Sequence, residues 1–445
     1  MDRRSFLKAT GAGAAALGIS ACENSASKFG IKLSDKDITG TMETRLCSDD
    51  SVGLLGYGCM RWKMIESEGD RKIIDQSSVN ELVDFALSHG VNYFDSSPVY
   101  LQGQSEEATA KALLRHPREK YLIATKLSNF LDSSYETSVK MYRRSLEIYQ
   151  TDHIDYYLLH SISGYAAFQK RFESNGVMDF LLKEREEGRI RHLGFSTHGS
   201  TEGFEELLAL HEKYHWDFVQ IQMNYVDWTH APKRTCNAKH MYEQLAARNI
   251  PVVIMEPLLG GSLSNVPGSV AATLKAANPQ GSIASWAFRF CGTFPKVLTV
   301  LSGMTYMEHL RDNLATFCDF KPLTEAELDM LESMAQTIRS YPFVGCTGCQ
   351  YCMPCPHGID IPGIFNHYDR SISEGSFAES LEQKGYRRLR RKYLSSYDKA
   401  VETVRQADHC ISCGICLPLC PQRIRIPEQL SRIDKYVEKL KQDKL

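Results

Sequence analysis

Residues 91–95 read VNYFD, residues 121–126 read YLIATK and residues 154–160 read IDYYLLH. Each is a short apolar run that ends on one ionisable side chain: Asp95, Lys126 and His160. Continuous runs of this kind, rich in aromatic and β-branched residues and without strict alternation, are the pattern of strands buried on both faces. Helical patterns flank them, with apolar residues three and four apart in VNELVDFALSHG (79–90) and SVKMYRRSLEIY (138–149). Working outward, the same alternation recurs. VGLLGYG (52–58), IRHLGFS (190–196), FVQIQMN (218–224), PVVIMEP (251–257) and VLTVLSG (297–303) complete a set of eight strand candidates, with FEELLALHEKYH (204–215) and AKHMYEQLAARN (238–249) among the helices between them. Eight strand–helix units predict an α/β fold, a (β/α)8 TIM barrel whose chemistry sits where the strands end. Asp95, Lys126 and His160 stand at such ends, and Tyr100 follows Asp95 in the next loop.

The chain of 445 residues is longer than one core usually organises, so a second folded unit is expected. A net charge of -2 with 24% charged residues gives no single-signed field, which excludes nucleic acid as an expected partner. Mean hydropathy of -0.31 argues against a polytopic membrane protein.

Fourteen cysteines are the anomaly, and eight of them lie in two runs. CISCGICLPLCP (410–421) places Cys410, Cys413, Cys416 and Cys420 before a proline, the C-x2-C-x2-C-x3-C-P spacing of bacterial ferredoxins. CTGCQYCMPCP (346–356) places Cys346, Cys349, Cys352 and Cys355 likewise, with the last gap one residue shorter. Three closely spaced thiolates can meet three irons of one cube, while the cysteine beside proline is sent to the other cluster. One [4Fe-4S] cluster is therefore expected on Cys346, Cys349, Cys352 and Cys420, and a second on Cys410, Cys413, Cys416 and Cys355. The rivals are zinc, which usually takes two well-separated CxxC pairs, and disulfides, for which adjacent CxxCxxC cysteines are poor partners. Cys47, Cys59, Cys236, Cys291 and Cys318 stand singly in apolar or mixed surroundings and are expected to act as small buried hydrophobes.

At the other end, MDRRSFLKATGAGAAALGISAC pairs Arg3 and Arg4 with a small, apolar run from Ala9 to Ala21. It resembles a twin-arginine export signal. That run of 13 residues is short of the roughly 20 that span a bilayer, and Ile19-Ser20-Ala21-Cys22 matches the site at which bacterial lipoproteins are cut and lipidated. A lipid anchor on Cys22 at the extracytoplasmic face of a bacterial membrane is expected, against the rival of a basic N-terminal tail. Twin-arginine export suits a cluster protein, since it carries chains already folded.

GVNYFDSSPVYLQGQSE, LIATK, DYYLLH, LGFST and VQIQMNY occur in that order, and on these motifs the barrel resembles the aldo-keto reductase family. With both cysteine runs attached, it resembles the branch of that family bearing a C-terminal ferredoxin domain. The resemblance implies a nicotinamide-dependent oxidoreductase acting on a small carbonyl or alcohol, with Tyr100 as proton donor, Lys126 and Asp95 tuning it, and His160 orienting the carbonyl. A free tyrosine titrates near pH 10, so a nearby ammonium is needed to free its proton at neutral pH. The resemblance places Ser196 and Gln222 on the carboxamide of NAD(H) or NADP(H), Met255 beside the nicotinamide where the family often has an aromatic, and Ser302, Gly303, Met304 and Asn313 at the adenosine end. The basic residues that would grip a 2'-phosphate are missing around Gly303 and His309, so NADH is as well suited as NADPH.

The expected organisation is a signal over 1–22, a linker over 23–40, the barrel over 41–320, a connecting helix over 321–340 and a mainly helical two-cluster ferredoxin-like domain over 341–445. TEAELDMLESMAQTIR opens with a Thr-x-x-Glu cap and predicts that helix. Arg387, Arg388, Arg390, Arg391 and Lys392 form a basic knot, read first as a solvated helix face and otherwise as a lipid or partner contact. Hydride moves two electrons together and clusters move one, so a flavoprotein or membrane electron carrier is expected as redox partner. The other reading is an electron-relay or nicotinamide-sensing scaffold with structural clusters and no turnover.

Overall fold

The computed structural model describes residues 33–67, 72–230 and 236–445. The export signal, Cys22 and residues 23–32 of the expected linker lie outside them. Eight parallel strands close into a barrel: β1 Leu55–Gly58, β2 Tyr93–Asp95, β3 Leu122–Leu127, β4 Ile154–Leu159, β5 Ile190–Thr197, β6 Phe218–Gln222, β7 Val252–Met255 and β8 Val297–Ser302. They follow one another around the ring in chain order, and β8 pairs with β1. Residues of the strand runs are almost wholly buried, because helices cover the outer face and side chains fill the inside. Tyr93 and Tyr156 meet inside with ring centroids 4.9 Å apart, while Tyr157 packs outward on Tyr142. Gly194 in β5 is required by closeness: a Cβ there would lie 2.3 Å from the Phe218 carbonyl oxygen.

The first strand corrects the sequence reading. VGLLGYG divides at Leu54: Asp50–Gly53 pairs antiparallel with Thr44–Cys47, and only Leu55–Gly58 joins the barrel. That hairpin closes the barrel's N-terminal end, with Cys47 and Val52 packed against Tyr93, Tyr156 and Phe218. Asp50 is held there by Arg191 at 2.6 Å and His192 at 3.0 Å. Part of the expected linker also packs on the barrel, where Arg311 Nε donates to Asp35 Oδ1 at 2.7 Å.

Helix α1, Glu325–Arg339, leads away from the barrel. Its N-terminus carries the expected capping box: the Glu327 amide donates to the Thr324 hydroxyl at 3.3 Å, and the Thr324 amide to the Glu327 carboxylate at 2.8 Å. Three further helices, α2 Ile361–Ser373, α3 Tyr386–Ala400 and α4 Ile426–Gln442, build a second core around Phe365, Tyr393, Tyr397 and Ile433. The basic knot lies on α3 as a solvated face, except that Arg390 donates to the last carbonyls of α4, Leu440 at 2.5 Å and Lys441 at 3.0 Å. All five single cysteines are buried.

Candidate active site and cluster seat

The C-terminal rim of the barrel gathers one polar side chain after another from successive strands. Asp95 ends β2, Lys126 lies next to last in β3 and His160 follows β4. Lys126 is fully buried and spends its hydrogen bonds on Asp95 Oδ1 at 2.5 Å and the Ser96 carbonyl at 2.8 Å. Gln220 of β6 donates to the other Asp95 oxygen at 3.2 Å. Burial lowers Lys126 below the usual ammonium range and raises Asp95, and the close ion pair opposes both shifts.

Tyr100 stands over this pair. Its ring centroid is 4.8 Å from Lys126 Nζ, so the ammonium meets the ring face, and its ring lies edge-on to His160 at 5.8 Å. Burial raises the phenol well above its ordinary value and the carboxylate of Asp95 adds to the rise, so the lowering expected from the ammonium is not seen: Lys126 lies over the ring face and its hydrogen bonds go to Asp95 and Ser96. Leu101 and Gln102, directly after it, both take left-handed backbone angles, φ 50° and 58°. Such angles cost about 1–2 kcal/mol per non-glycine residue and persist where the surroundings impose them.

His160 is neutral, because burial and the nearby Lys126 and Arg171 cations drive its pKa well down. Its Nδ1 is 2.5 Å from the Ser128 hydroxyl, which lies 2.8 Å from that of Ser97. If the Ser128 hydroxyl donates to Nδ1, the neutral ring carries its proton on Nε2, the tautomer that can donate to a carbonyl.

The residues expected to meet a nicotinamide follow on the next strands. Ser196 of β5 accepts from the Ser161 amide at 2.8 Å, leaving its hydroxyl proton free to donate. Gln222 ends β6, donates to Asp227 at 2.8 Å and accepts from Gln422 of the cluster domain at 2.8 Å. Met255 ends β7 half-buried. Ser302, Met304 and Asn313 are turned into the protein, with Asn313 donating to the Ser302 hydroxyl at 2.8 Å. Over Gly303 lies Arg61, whose guanidinium donates to two backbone carbonyls, Thr347 at 2.5 Å and Gly260 at 3.4 Å. The sequence around Gly303 contains no cation, and the fold supplies one from the end of β1.

The eight cysteines of the two runs fall into two fours. Cys346, Cys349, Cys352 and Cys420 line one cavity with Phe365 and Ile424. Burial raises the first three thiols to about 12, 11 and 12, and the neighbours that raise them further include one another and Cys420. Around Cys416 the corresponding neighbours are Cys410, Cys413 and Cys355. Four thiols lining one cavity are a donor set that iron would neutralise, so Cys346, Cys349, Cys352 and Cys420 fit the cluster expected for them.

The first four sit on the barrel rim. Gly260, in the loop after β7, has φ 69°, and a Cβ there would lie 2.3 Å from the Thr347 Cα. Tyr351, between Cys349 and Cys352, is half-buried against this rim, and burial raises its phenol well above its ordinary value, with Tyr100, Cys349, Asp95 and Glu256 as its titratable neighbours. Sequence reasoning passed over Arg61, Ser97, Ser128, Gln220, Glu256, Tyr351 and Gln422. Only Gln220 carried a readable signal, being two residues from Gln222 and so on the same strand face.

The sequence matches the family model "Aldo/keto reductase family" over residues 54–336, and the chain belongs to that family. Residues 345–426 match a 4Fe-4S dicluster domain, and residues 1–20 a twin-arginine translocation signal. An uncharacterised oxidoreductase of Bacillus subtilis, YqkF, is 24% identical over 316 residues, covering 64% of this chain and 94% of that one. L-galactose dehydrogenase of Arabidopsis thaliana is 24% identical over 57% of this chain and 83% of its own. Among solved structures, aldo-keto reductase AKR11C1 from Bacillus halodurans in its holo form superposes with a TM-score of 0.53 at 21% identity, over 66% and 96% of the two chains. A Klebsiella pneumoniae aldo-keto reductase in complex with NADPH gives 0.53 at 18% identity, over 67% and 95%.

Proposed function

We propose that this protein is an exported iron–sulfur oxidoreductase that interconverts a small carbonyl and its alcohol with NAD(H) or NADP(H), and that its clusters connect this site to an outside electron carrier. The observation that carries the reading is the buried Lys126–Asp95 pair beneath Tyr100, with the Nε2 of His160 free at the barrel mouth. Tyr100 gives its proton to the oxygen on which charge develops. The Lys126 ammonium stabilises the phenolate left behind, and Asp95 keeps that ammonium charged in a buried site. His160 holds the carbonyl oxygen through Nε2–H. In this family the dinucleotide, when bound, supplies or takes up the hydride at the carbonyl carbon. Ser196, Gln222 and Met255 would hold its nicotinamide end, Ser302, Gly303, Met304 and Asn313 its adenosine end, and Arg61 its phosphates, exchanging carbonyl partners for phosphate oxygens.

Two [4Fe-4S] clusters, on Cys346, Cys349, Cys352 and Cys420 and on Cys410, Cys413, Cys416 and Cys355, would supply one-electron exchange. The twin-arginine signal supports export, and Cys22 is the proposed lipid anchor. The division proposed is a barrel over 41–320, a connecting helix over 321–340 and a cluster domain over 341–445. A second reading, a nicotinamide-sensing relay without turnover, is favoured by the hold of Gln422 on Gln222. Anaerobic purification with iron and dinucleotide analysis, followed by a carbonyl panel, separates the two: turnover that vanishes in Tyr100→Phe supports the enzyme, and its persistence in that variant removes Tyr100 as the acid.

A further inference from the structure

The two groups of cluster cysteines have opposite outlooks. The first is seated on the barrel through the Arg61–Thr347 and Gln422–Gln222 bonds. In the second, Cys413 is exposed, while the other seven cysteines of the two runs are half-buried. The loop carrying Cys413 is rimmed by aliphatic side chains. Val404, Ile411, Ile415, Leu417 and Leu419 are between 43% and 71% exposed. A lone exposed leucine is ordinary, but five such residues within 404–419 beside a thiol meant for a redox centre make a patch.

We propose that this patch is the docking surface for a one-electron carrier protein that presents an apolar face, so that electrons enter or leave at the Cys355, Cys410, Cys413 and Cys416 group. The inference rests on the relay reading above and names its partner surface. A bilayer suits the patch less well. The segment 402–421 itself carries two anions and one cation, Glu402, Asp408 and Arg405, with His409, and the exposed Arg425 just beyond it is paired with Glu428 at 3.2 Å, so the segment offers anionic headgroups no excess of cations. A second copy also suits it less well: obligate dimers bury more than about 2,000 Å², redox encounters less than about 1,200 Å², and five aliphatic side chains without an aromatic anchor match the latter.

The test uses the anaerobic full-length holoprotein with its iron content checked in every variant. Cluster reduction is followed by stopped flow with two donors, the methyl viologen radical and a reduced bacterial two-cluster ferredoxin. Val404→Glu lies outside the cluster loop and Leu417→Glu within it. The expected result is a ferredoxin rate that saturates and falls about tenfold in both variants, while the viologen rate stays within about twofold. Ferredoxin rates that do not saturate, or that match in variant and parent, overturn the proposal. So does parent protein that binds vesicles of equimolar phosphatidylcholine and phosphatidylglycerol and loses them in Val404→Glu, or a parent dimer that Val404→Glu splits. Saturable reduction by ferredoxin with no onward reduction of bound NAD(P)+ or carbonyl upholds the docking surface and removes the relay reading instead.

Discussion

Gln422, two residues beyond the last cluster cysteine, donates to the side-chain oxygen of Gln222 at the end of β6 across 2.8 Å. One residue expected to hold a nicotinamide carboxamide is thereby committed to the cluster domain, and dinucleotide binding has to compete with that bond. Gln422→Ala releases it. A neutral hydrogen bond contributes about 1 kcal/mol, so the dissociation constant for NAD(H) or NADP(H) is expected to fall about fivefold, read by titration of dinucleotide fluorescence. An unchanged or weaker affinity would show that Gln222 is no cofactor ligand.

Arg61 provides the opposite change. Its guanidinium reaches across Gly303 to two carbonyls and, among the described residues, makes no hydrogen bond to a carboxylate. If phosphates replace those carbonyls, Arg61→Ala removes a charge-assisted bond of about 1.5–3 kcal/mol and weakens dinucleotide binding by about tenfold or more. The same titration checks it, with nicotinamide mononucleotide as a shortened control.

Tyr100→Phe removes the proposed acid and leaves the ring over Lys126. Turnover is expected to fall by about 10²–10⁴-fold with dinucleotide affinity unchanged. Ser128→Ala acts through His160 instead. Without the 2.5 Å contact at Nδ1 the imidazole loses its fixed tautomer, so kcat is expected to drop about tenfold while the dinucleotide dissociation constant holds. The two variants together separate proton transfer from carbonyl positioning.

Much of this arrangement was legible because barrels repeat. Asp95, Lys126 and His160 each close an apolar run, and period-two alternation within FVQIQ marks Gln220 and Gln222 as one face. The grouping of Cys420 with the first cysteine run was legible from the proline beside it. The split of VGLLGYG at Leu54 was not, since both halves are equally apolar and only the antiparallel partner at Thr44–Cys47 separates them. Nor were the seam residues. Thr347 and Arg61 are 286 positions apart, and nothing local in either stretch encodes their meeting.

His367 makes the cluster domain sensitive to acid. It is buried in α2, its Nε2 is 2.8 Å from the Ser396 hydroxyl, and burial lowers its pKa to about 4. An unfolded histidine titrates near 6.5, so the unfolded chain binds the extra proton first. The stability from keeping His367 neutral is fully present above about pH 6.5 and is lost as pH falls towards 4. Between pH 7 and pH 5 the loss is about 2 kcal/mol, visible as a lower guanidinium midpoint for helix loss under anaerobic conditions. His367→Gln should flatten that slope, and an unchanged slope would assign the acid sensitivity to other groups.

The crossing of cysteines between the two runs predicts a pattern of non-additivity. If Cys346 and Cys420 serve one cluster, Cys346→Ser and Cys420→Ser each remove about four irons, and the double variant removes no more than either single. If Cys355 serves the other, Cys346→Ser with Cys355→Ser removes about eight. Assignment of each run to its own cluster reverses both outcomes: the first pair would strip both clusters, and the second pair only one. Iron analysis with electron paramagnetic resonance of the reduced protein decides between them, because a chain that keeps one cluster loses the magnetic coupling between two. The geometry favours the crossed outcome, since Cys420 shares its cavity with Cys346, Cys349 and Cys352, while Cys355 lies among the neighbours of Cys416.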